Sequence, residues 1–394
     1  MAAGDKPYRV YRGGRAKGKV PLQGRPAERD GTRRGSGTEP PQGPRTRRAR
    51  RPHWRRRILV ALGVVLLFLV VWSAASYVAF SGGVSAANRR LDPATRAALD
   101  GQNGLLISTP TTILLLGTDH ANTDARAADR HSDSIMLVHT DPSRHRISFL
   151  SIPRDLQVPI PGHSDNKINA AMQLGGPPLA ARTIGAFTGL KINHIVIVDF
   201  GSFEQLIDKL GGIDINVPKP IVSDRFDCPY ATSTRCQAWQ GWRFAKGVQH
   251  MSGHRALIYS RVRVNRLDAS ESDVTRGERQ QAVLQAIAGK LASFGTFMQL
   301  PFIGGDLLRP LTTDLSASEL MQLGWVKFRS SNGSTLHCRL GGDAGSFGGA
   351  SVITPSEQNG AVIQEILGNT APQPPQPGSG PYGPGCVVGS ASFR

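Results

Sequence analysis

The strongest hydrophobic pattern in the chain is an apolar stretch at residues 58–80, ILVALGVVLLFLVVWSAASYVAF, which contains no charged residue. A helix of these 23 residues is about 35 Å long, enough to cross the roughly 30 Å hydrocarbon core of a bilayer. Three arginines precede it at positions 55–57, whereas only Arg89 and Arg90 follow closely on the other side. The positive-inside bias predicts a transmembrane signal anchor with residues 1–57 in the cytoplasm and the remainder outside.

A cleavable signal peptide is the alternative interpretation of this stretch. Val84, Ser85 and Ala86 resemble a small-residue cleavage site. A leader of 57 residues is too long for a signal peptide, so an uncleaved anchor is favoured. Residues 81–108 are then predicted to be an extracytoplasmic linker.

Beyond the linker, short apolar runs alternate with segments of helical periodicity. The strand-like runs lie at residues 111–116, 134–139, 146–152, 194–200 and 213–217. Asp141, Pro142 and Ser143 predict a turn that pairs the second and third runs as a hairpin. Strands that alternate with helices predict a layered α/β domain, here at residues 109–369. The Pro- and Gly-rich residues 370–394 are predicted to be a loose tail.

Two helices are predicted from their boundaries and apolar spacing. The first has Ser202 at the N-cap position and ends at Gly211 and Gly212, and its apolar face comprises Phe203, Leu206, Ile207 and Leu210. The second is predicted from Asp273, an N-cap candidate, to about residue 292, with an apolar face that comprises Val283, Leu284, Ile287 and Leu291.

The net charge of +18 over 394 residues is typical of nucleic-acid binders, but its distribution argues against that class. Residues 1–57 carry 18 Lys and Arg against 4 acids, whereas the other 337 residues carry 29 against 25. The basic segment is predicted to be disordered and attracted to anionic membrane lipid. Nucleic acid is not an expected partner, because few aromatic residues lie among these arginines, namely Tyr8, Tyr11 and Trp54.

The four cysteines fit an oxidising compartment. Cys228 and Cys236 enclose a short loop, which predicts a disulfide. No CxxC motif or neighbouring histidine pair completes a zinc site with them. Cys338 and Cys386 are candidates for a second disulfide.

Charged residues fall at the ends of the predicted strands. Asp119 follows the first strand, Asp133 directly precedes the second, and Arg154 and Asp155 follow the third. Strand ends are where α/β proteins usually place their sites. Ordinary surface ion pairs are the alternative interpretation of each residue taken singly.

Further cations are predicted to join this group. The two-residue spacing of Arg261 and Arg263 points both to one side of an extended segment. Arg276 and Gln280 are four residues apart, so they share a face of the second helix, with Arg279 beside them.

These guanidinium groups and Lys167 would repel one another unless a dense anion lay between them. A pyrophosphate meets this requirement, because guanidinium groups bind phosphate oxygens bidentately. Asp119 and Asp133 would then hold Mg²⁺ through few direct ligands and several waters. Metal and arginines together supply what phosphoryl transfer requires of a protein.

Seven motifs, in order, resemble the LytR-CpsA-Psr family of bacterial cell-wall glycopolymer transferases. The resemblance covers roughly residues 111–291 and the preceding anchor. The motifs are LLLGTD at 114–119, SDSIMLV at 132–138, SIPRD at 151–155, KINAA at 167–171, GGIDINVPKPI at 211–221, GVQHMSGHRALIYSRVR at 247–263 and DVTRGERQQ at 273–281.

The resemblance implies an extracytoplasmic enzyme that moves a glycopolymer from a polyprenyl-pyrophosphate carrier onto peptidoglycan through a phosphodiester bond. It implies an α-β-α sandwich around a mixed sheet, with an apolar pocket for the lipid. It also implies Mg²⁺ at Asp119 and Asp133. The implied pyrophosphate-binding residues are Arg154, Arg261, Arg263, Arg276 and Gln280.

This chain departs from the family pattern at one position. The family usually has Arg two positions before the second metal-binding Asp, whereas this chain has His131 there and Arg130 one place earlier. Asp155 either orients Arg154 or helps to activate the acceptor. The functional alternatives are a non-catalytic anchored binder of anionic wall polymers, an envelope regulator, and hydrolysis of the carrier diphosphate.

Overall fold

The computed structural model describes residues 54–118, 132–230, 232–269, 271, 273–379 and 382–389. The helices are α1 (Trp54–Asn88), α2 (Pro93–Ala97), α3 (Ala170–Thr188), α4 (Phe200–Lys209), α5 (Ser233–Ala238), α6 (Gly253–Arg261), α7 (Asp273–Leu291), α8 (Phe294–Leu307), α9 (Ala317–Arg329) and α10 (Asn359–Leu367). The strands are β1 (Thr111–Thr118), β2 (Ser132–Asp141), β3 (Arg146–Ile152), β4 (Gln157–Val158), β5 (Asn166–Lys167), β6 (His194–Asp199), β7 (Ile213–Val217), β8 (Ile221–Val222), β9 (Arg243–Phe244), β10 (Gly247–Met251), β11 (Thr312–Thr313), β12 (Thr335–Arg339), β13 (Gly342–Phe347), β14 (Ala350–Pro355) and β15 (Gly385–Val388).

A seven-stranded mixed sheet organises the domain, with strand order β11-β6-β1-β2-β3-β12-β15. The predicted β2–β3 hairpin is confirmed, and β1 pairs antiparallel with β2. The β1–β6 and β3–β12 pairs are parallel. Because β12 lies inside this sheet, the chain after residue 311 continues the same domain.

Side chains of β1 alternate between the two faces of the sheet. Leu114 and Leu116 pack in one core with residues of α3 and α10, whereas Ile113 and Leu115 pack on the other face with residues of α9. Helix α7 also packs on that second face, through Leu284. Helices therefore cover both faces, and the predicted α-β-α sandwich is confirmed.

Helix α1 is longer than the predicted anchor. Among the described residues it has the length and hydropathy of a membrane-spanning helix, and it continues eight residues beyond position 80, into the predicted linker. Val84 and Ala87 are buried there, because the end of α1 packs against the domain. The linker prediction was wrong for this segment.

The prediction of a loose tail at residues 370–394 was wrong for β15, while residues 390–394 lie outside the described residues. Strand β15 pairs antiparallel with β12. Cys338 and Cys386, the candidates for a second disulfide, face each other in this pair and are joined. The disulfide predicted between Cys228 and Cys236 is also present. The Pro- and Gly-rich composition did not predict this strand, because a short edge strand needs few apolar residues when a partner strand and a disulfide hold it.

Two local predictions differ from the structure. Helix α4 begins at Phe200, and its N-cap is Asp199, whose carboxylate accepts the backbone N–H of Ser202 at 2.8 Å. Carboxylate caps are as favourable as hydroxyl caps, so the sequence pattern allowed both. The segment predicted to be extended around Arg261 is instead the last turn of α6, capped at its start by Ser252.

Candidate active site

A large cavity opens beside the end of the sheet at which β1 and β3 finish and β2 begins. Its volume is about 1110 Å³. Most of its wall is apolar and comes from the sheet face under α7 and α9. One end is lined by a group that we call the polar end: Asp133, Arg154, Asp155, Lys167, Arg261, Arg263, Arg276 and Gln280.

The antiparallel register of β2 and β3 creates the centre of the polar end. Ile135 pairs with Ile152, so the same register, continued two residues outward on both strands, sets Asp133 opposite Arg154. Arg154 Nη1 donates to Asp133 Oδ1 at 2.6 Å. Asp133, near the start of β2, and Arg154, just after the end of β3, thus form a preformed ion pair at the cavity wall.

Asp155 is held by two cations. Lys167 Nζ donates to its Oδ1 at 2.7 Å, and Arg154 Nε lies 3.4 Å from its Oδ2. Lys167 reaches it from β5, which pairs with β4 directly after this turn. Burial raises the pKa of Asp155, but the Lys167 hydrogen bond and the Arg154 charge outweigh burial and hold that pKa below its ordinary range. The carboxylate is therefore ionised and fully engaged with its neighbours.

Helix α7 presents Arg276 and Gln280 to the cavity. A side-chain carbon at Gly277 would lie 2.6 Å from Ser151 Oγ, so a larger residue would have to displace that hydroxyl for the helix to approach β3 this closely. Ser134 Oγ of β2 donates to Gln280 Oε1 at 2.8 Å. The close approach carries both predicted side chains to the strand ends.

The opposite side of α7 is anchored by a buried histidine of β12. His337 Nδ1 lies 2.6 Å from Gln281 Oε1, and its Nε2 lies 2.7 Å from Gln285 Nε2. Burial, followed by the nearby Lys327 charge, lowers the pKa of His337 to about 4. The imidazole is neutral at physiological pH and fixes the helix on the sheet.

Arg261 lies among aromatic rings as well as charges. Its guanidinium carbon is 4.4 Å from the ring centroid of Phe200 and 5.7 Å from that of Phe226. It also pairs with Asp227. The cation–π contacts orient the guanidinium at the side of the cavity.

Arg279 was predicted to bind phosphate, and this prediction was wrong. It is 6% exposed and belongs to a separate group that we call the Glu271 cluster: Lys219, Asn265, Asp268, Glu271 and Arg279. Its Nη1 donates to Glu271 Oε2 at 2.7 Å and its Nη2 to the carbonyl of Val262 at 2.5 Å. Residues three apart on a helix are neighbours on its surface, but the contacts with Glu271 and Val262 direct the Arg279 guanidinium into the loop that carries Arg263.

Sequence reasoning also missed several residues of the cavity wall. Asp199, Asp224 and Lys327 line it. Asp199 is the last residue of β6 and so fits the strand-end pattern, whereas Asp224 and Lys327 lie outside that pattern. Lys327 projects from α9 at the apolar part, where burial lowers its pKa. The candidate residues Asp119, Arg130 and His131 lie outside the described residues.

A second, smaller cavity of about 120 Å³ adjoins the polar end. The two cavities share Asp133, Ser134, Arg154, Asp155, Arg276 and Gln280. The smaller one is completed by Arg339, Ser351 and Tyr382. The same charged residues thus stand between a large, mostly apolar space and a small polar one.

The donor set of the polar end suits a hard divalent cation bound mainly by other ligands. The Asp133 side chain is 27% exposed, and the hydrogen bond from Arg154 engages one of its two oxygens. Among the described residues, no group of three or more His, Cys, Asp or Glu could hold a metal ion. One available carboxylate fits Mg²⁺, which keeps several waters and takes substrate phosphates as ligands.

Comparison with known proteins shows which family has this architecture. Residues 77–366 match the LytR_cpsA_psr family. The regulatory protein MsrR of Staphylococcus aureus (strain COL) is 32% identical over 214 residues, which is 54% of this chain and 58% of that protein. The chain thus spans less than two thirds of this relative.

A second relative is covered more fully. The polyisoprenyl-teichoic acid–peptidoglycan teichoic acid transferase TagV of Bacillus subtilis (strain 168) is 28% identical over 276 residues, 68% of this chain and 67% of that protein. The crystal structure of B. subtilis TagV superposes with a TM-score of 0.54 at 26% identity, covering 67% of this chain and 99% of that one. The structure of TagT bound to LIIa-WTA superposes with a TM-score of 0.53 at 26% identity, covering 68% of this chain and 94% of that one.

Proposed function

The chain belongs to the LytR-CpsA-Psr family, and from this premise we propose that it transfers a glycopolymer from a polyprenyl-diphosphate carrier to peptidoglycan. The observation that carries the proposal is the division of one cavity into a cationic end and a long apolar remainder. A lipid diphosphate has the same division. The relative TagV, which is named as a teichoic acid transferase, supports this class of reaction.

The polar end would bind the diphosphate through its guanidinium groups. Arg154, Arg261, Arg263 and Arg276 come from different elements, so they can approach the two phosphates from several sides. Preorganised cations stabilise the charge that develops on phosphoryl oxygens in the transition state. The apolar wall would hold the first isoprene units of the carrier.

The acceptor would approach through the smaller cavity. A peptidoglycan hydroxyl oxygen attacks the phosphorus on the glycopolymer side, and the bond from that phosphorus to the bridging oxygen breaks. The hydroxyl proton goes to the departing lipid phosphate, so the products are a phosphodiester and a lipid monophosphate monoanion. Charge and atoms balance without a further reactant.

Asp155 is best suited to position Arg154 and Lys167 rather than to accept a proton. Its lowered pKa makes it a weak base, and both oxygens already face cations. Asp133 is the described residue that would contribute to a Mg²⁺ site. Asp119, which directly follows β1 in the sequence, would supply a second carboxylate. Bound Mg²⁺ would neutralise charge on the diphosphate oxygens.

We further propose that α1 crosses the membrane once, with its N-terminus in the cytoplasm. The arginines at positions 55–57 support this orientation through the positive-inside bias. The two disulfides also fit a domain on the outer, oxidising side. Membrane lipid and the lipid-linked donor are then available to the same face of the protein.

The direct test is transfer by the purified full-length chain in proteoliposomes. A labelled, lipid-diphosphate-linked oligosaccharide would be the donor and peptidoglycan the acceptor. We expect label on peptidoglycan, and its loss with EDTA and with Arg263→Ala. Transfer unchanged by both treatments would refute the proposal.

The same assay distinguishes two other functions. Binding of anionic polymer without transfer would indicate an anchored binder or regulator, which the name of the relative MsrR makes worth testing. Release of phosphorylated oligosaccharide without peptidoglycan would indicate hydrolysis of the carrier diphosphate. Neither outcome is expected as the main activity.

A further inference from the structure

Helix α8 carries an exposed apolar surface whose residues do not line the large cavity. Residues 291–305, which include most of it, contain no charged side chain. Phe294 and Phe302 are 77% and 76% exposed, and Phe297 is also exposed. Large phenylalanines are rarely left to water in such a group, so this surface calls for an apolar occupant.

Helix α8 is packed against the membrane anchor. Phe302 meets Trp72 of α1 edge to face, with ring centroids 5.7 Å apart. Above this contact the two helices touch at small residues: a side-chain carbon on Gly83 would lie 2.8 Å from the carbonyl oxygen of Gly304. The position of α1 in the bilayer therefore determines the depth of α8.

The length of α1 gives that depth. If hydrocarbon begins at Ile58, after the arginines, Trp72 is about 21 Å further along the helix, at about 1.5 Å per residue. In a hydrocarbon core of roughly 30 Å this leaves Trp72 about 9 Å below the outer boundary. Tilt of α1 would only place it deeper. Phe302, in contact with Trp72, would then lie within the hydrocarbon.

The flanks of α8 fit this position. Lys290 precedes the uncharged stretch, and Asp306 and Arg309, which form an ion pair at 3.3 Å, follow it. Charged residues at the ends of a membrane-embedded segment stay at the headgroups. Leu291, the last residue of α7, and Leu308, which directly follows α8, line the large cavity. The uncharged helix thus lies next to the apolar part of that cavity.

We propose that α8 is embedded in the outer leaflet beside α1, with bilayer lipid covering its phenylalanines. The apolar part of the cavity then borders hydrocarbon, and a prenyl chain can pass between bilayer and cavity without crossing water. The embedding rests on the membrane position of α1, whereas the passage of the prenyl chain also rests on the proposed function.

A fluorescent label tests the embedding in the full-length chain. All four native cysteines are in disulfides, so Phe302→Cys can be labelled selectively with an environment-sensitive dye. Phe347→Cys, at an exposed phenylalanine of β13, is the matched control. In proteoliposomes we expect lipids with spin labels on their acyl chains to quench the dye at 302, and aqueous iodide to quench only the dye at 347.

Two outcomes would overturn the proposal. Iodide quenching at 302 equal to that at 347 would place α8 in water. Protection of 302 from both quenchers, with cross-linking between copies, would assign the surface to a second copy of the chain. Embedding by these labels with no transfer activity would leave the embedding intact and refute only the proposed function.

A second variant tests the passage of the prenyl chain. Phe302→Glu is expected to lower transfer from a long-chain donor in vesicles by about tenfold, since a carboxylate in hydrocarbon is costly. Transfer from a short-chain donor in detergent should be unchanged, as should transfer by Phe347→Glu with either donor. Equal loss with both donors would contradict a role in passage.

Discussion

The polar end of the cavity and the Glu271 cluster contain the same kinds of residue but differ in what surrounds them. Glu271 has no exposed side-chain surface, and Lys219, Asn265 and Arg279 all contact it. At the polar end, Asp133 and Asp155 are 27% and 23% exposed, and the neighbouring cations border a cavity. Lys219 and Asp268, at the edge of the Glu271 cluster, are 34% and 30% exposed, but the central Glu271–Arg279 pair is sealed. A sealed pair supports the fold, whereas charges that border an open cavity can bind an anion.

Arg279 of the Glu271 cluster and Arg263 of the polar end are connected through the backbone. Arg279 donates to the carbonyl of Val262, and Arg263 is the next residue, exposed at the cavity. The Glu271 cluster therefore holds the loop from which Arg263 reaches the polar end. Variants on the two sides of this loop should separate stability from activity.

The largest expected effect is on stability, from Arg279→Met. This change leaves Glu271 buried with one cation fewer and removes the hydrogen bond to Val262. Breaking a buried ion pair by removing one partner costs about 3–5 kcal/mol. Chemical denaturation of the purified chain should report a loss of that size in the free energy of unfolding.

The partner substitution controls this prediction. Adding Glu271→Gln to Arg279→Met removes the uncompensated charge, so part of the lost stability should return. If the double variant is less stable than Arg279→Met alone, the stabilising role assigned to the Glu271–Arg279 pair is wrong.

The next effect is on activity, from Arg263→Ala. Loss of one preorganised donor to a developing charge typically costs about 100-fold to 1000-fold in rate. The free energy of unfolding should fall by much less than in Arg279→Met, because Arg263 is exposed whereas Arg279 is buried. The proteoliposome assay measures the transfer rate, and chemical denaturation measures the free energy of unfolding.

Arg266→Ala is the matched control on the same loop. Arg266 is exposed and donates to the carbonyl of Gln240, away from the cavity. It should retain full transfer activity. Equal losses from both variants would mean that general positive charge, rather than the geometry of the polar end, supports the reaction.

A smaller effect distinguishes the two regions by pH. Burial raises the pKa of Glu271, but hydrogen bonds from Asn265 and Lys219 and the charge of Arg279 hold it below its ordinary 4.5. Its contribution to stability is therefore present above pH 4.5 and is lost as pH falls through the lower folded value. The pKa of Asp155 is likewise held below its ordinary 3.8, so its contribution to stability is also lost as pH falls.

The measurement is the free energy of unfolding at several pH values between about 6 and about 3. Glu271→Gln should flatten the decline on acidification more than Asp155→Asn does, because Asp155 is partly exposed. A decline unaffected by Glu271→Gln would show that the cluster does not hold an ionised carboxylate.

Sequence patterns predicted most of the polar end because its residues are tied to regular elements. Asp133 and Arg154 border strands whose apolar runs are unmistakable, and Arg276 and Gln280 follow helical spacing. The error at Arg279 has a physical reason. Guanidinium groups three residues apart on a helix can face different surroundings, and Glu271, its partner, carries no signal in a one-dimensional pattern.

The predictions that failed for the fold concern segments held by tertiary contacts. Composition could not reveal that residues 385–388 form a strand, since β12 and the disulfide of Cys386 hold it in the sheet. The continuation of α1 to Asn88 likewise depends on packing against α8. Periodicity reports what a segment can bury, but not which distant segment will cover it.

The smallest expected effect concerns a single hydrogen bond at the polar end, from Ser134→Ala. Ser134 Oγ donates to Gln280 Oε1, which turns the amide N–H group of Gln280 away from β2. One such bond contributes about 1 kcal/mol, or roughly fivefold in rate if it orients a group that binds the diphosphate. Stability should change by less than this, because the pair is only partly buried. Gln280→Ala should lower transfer at least as much, and adding Ser134→Ala to it should have no further effect. An additional loss in that double variant would mean that Ser134 acts on the substrate directly rather than through Gln280.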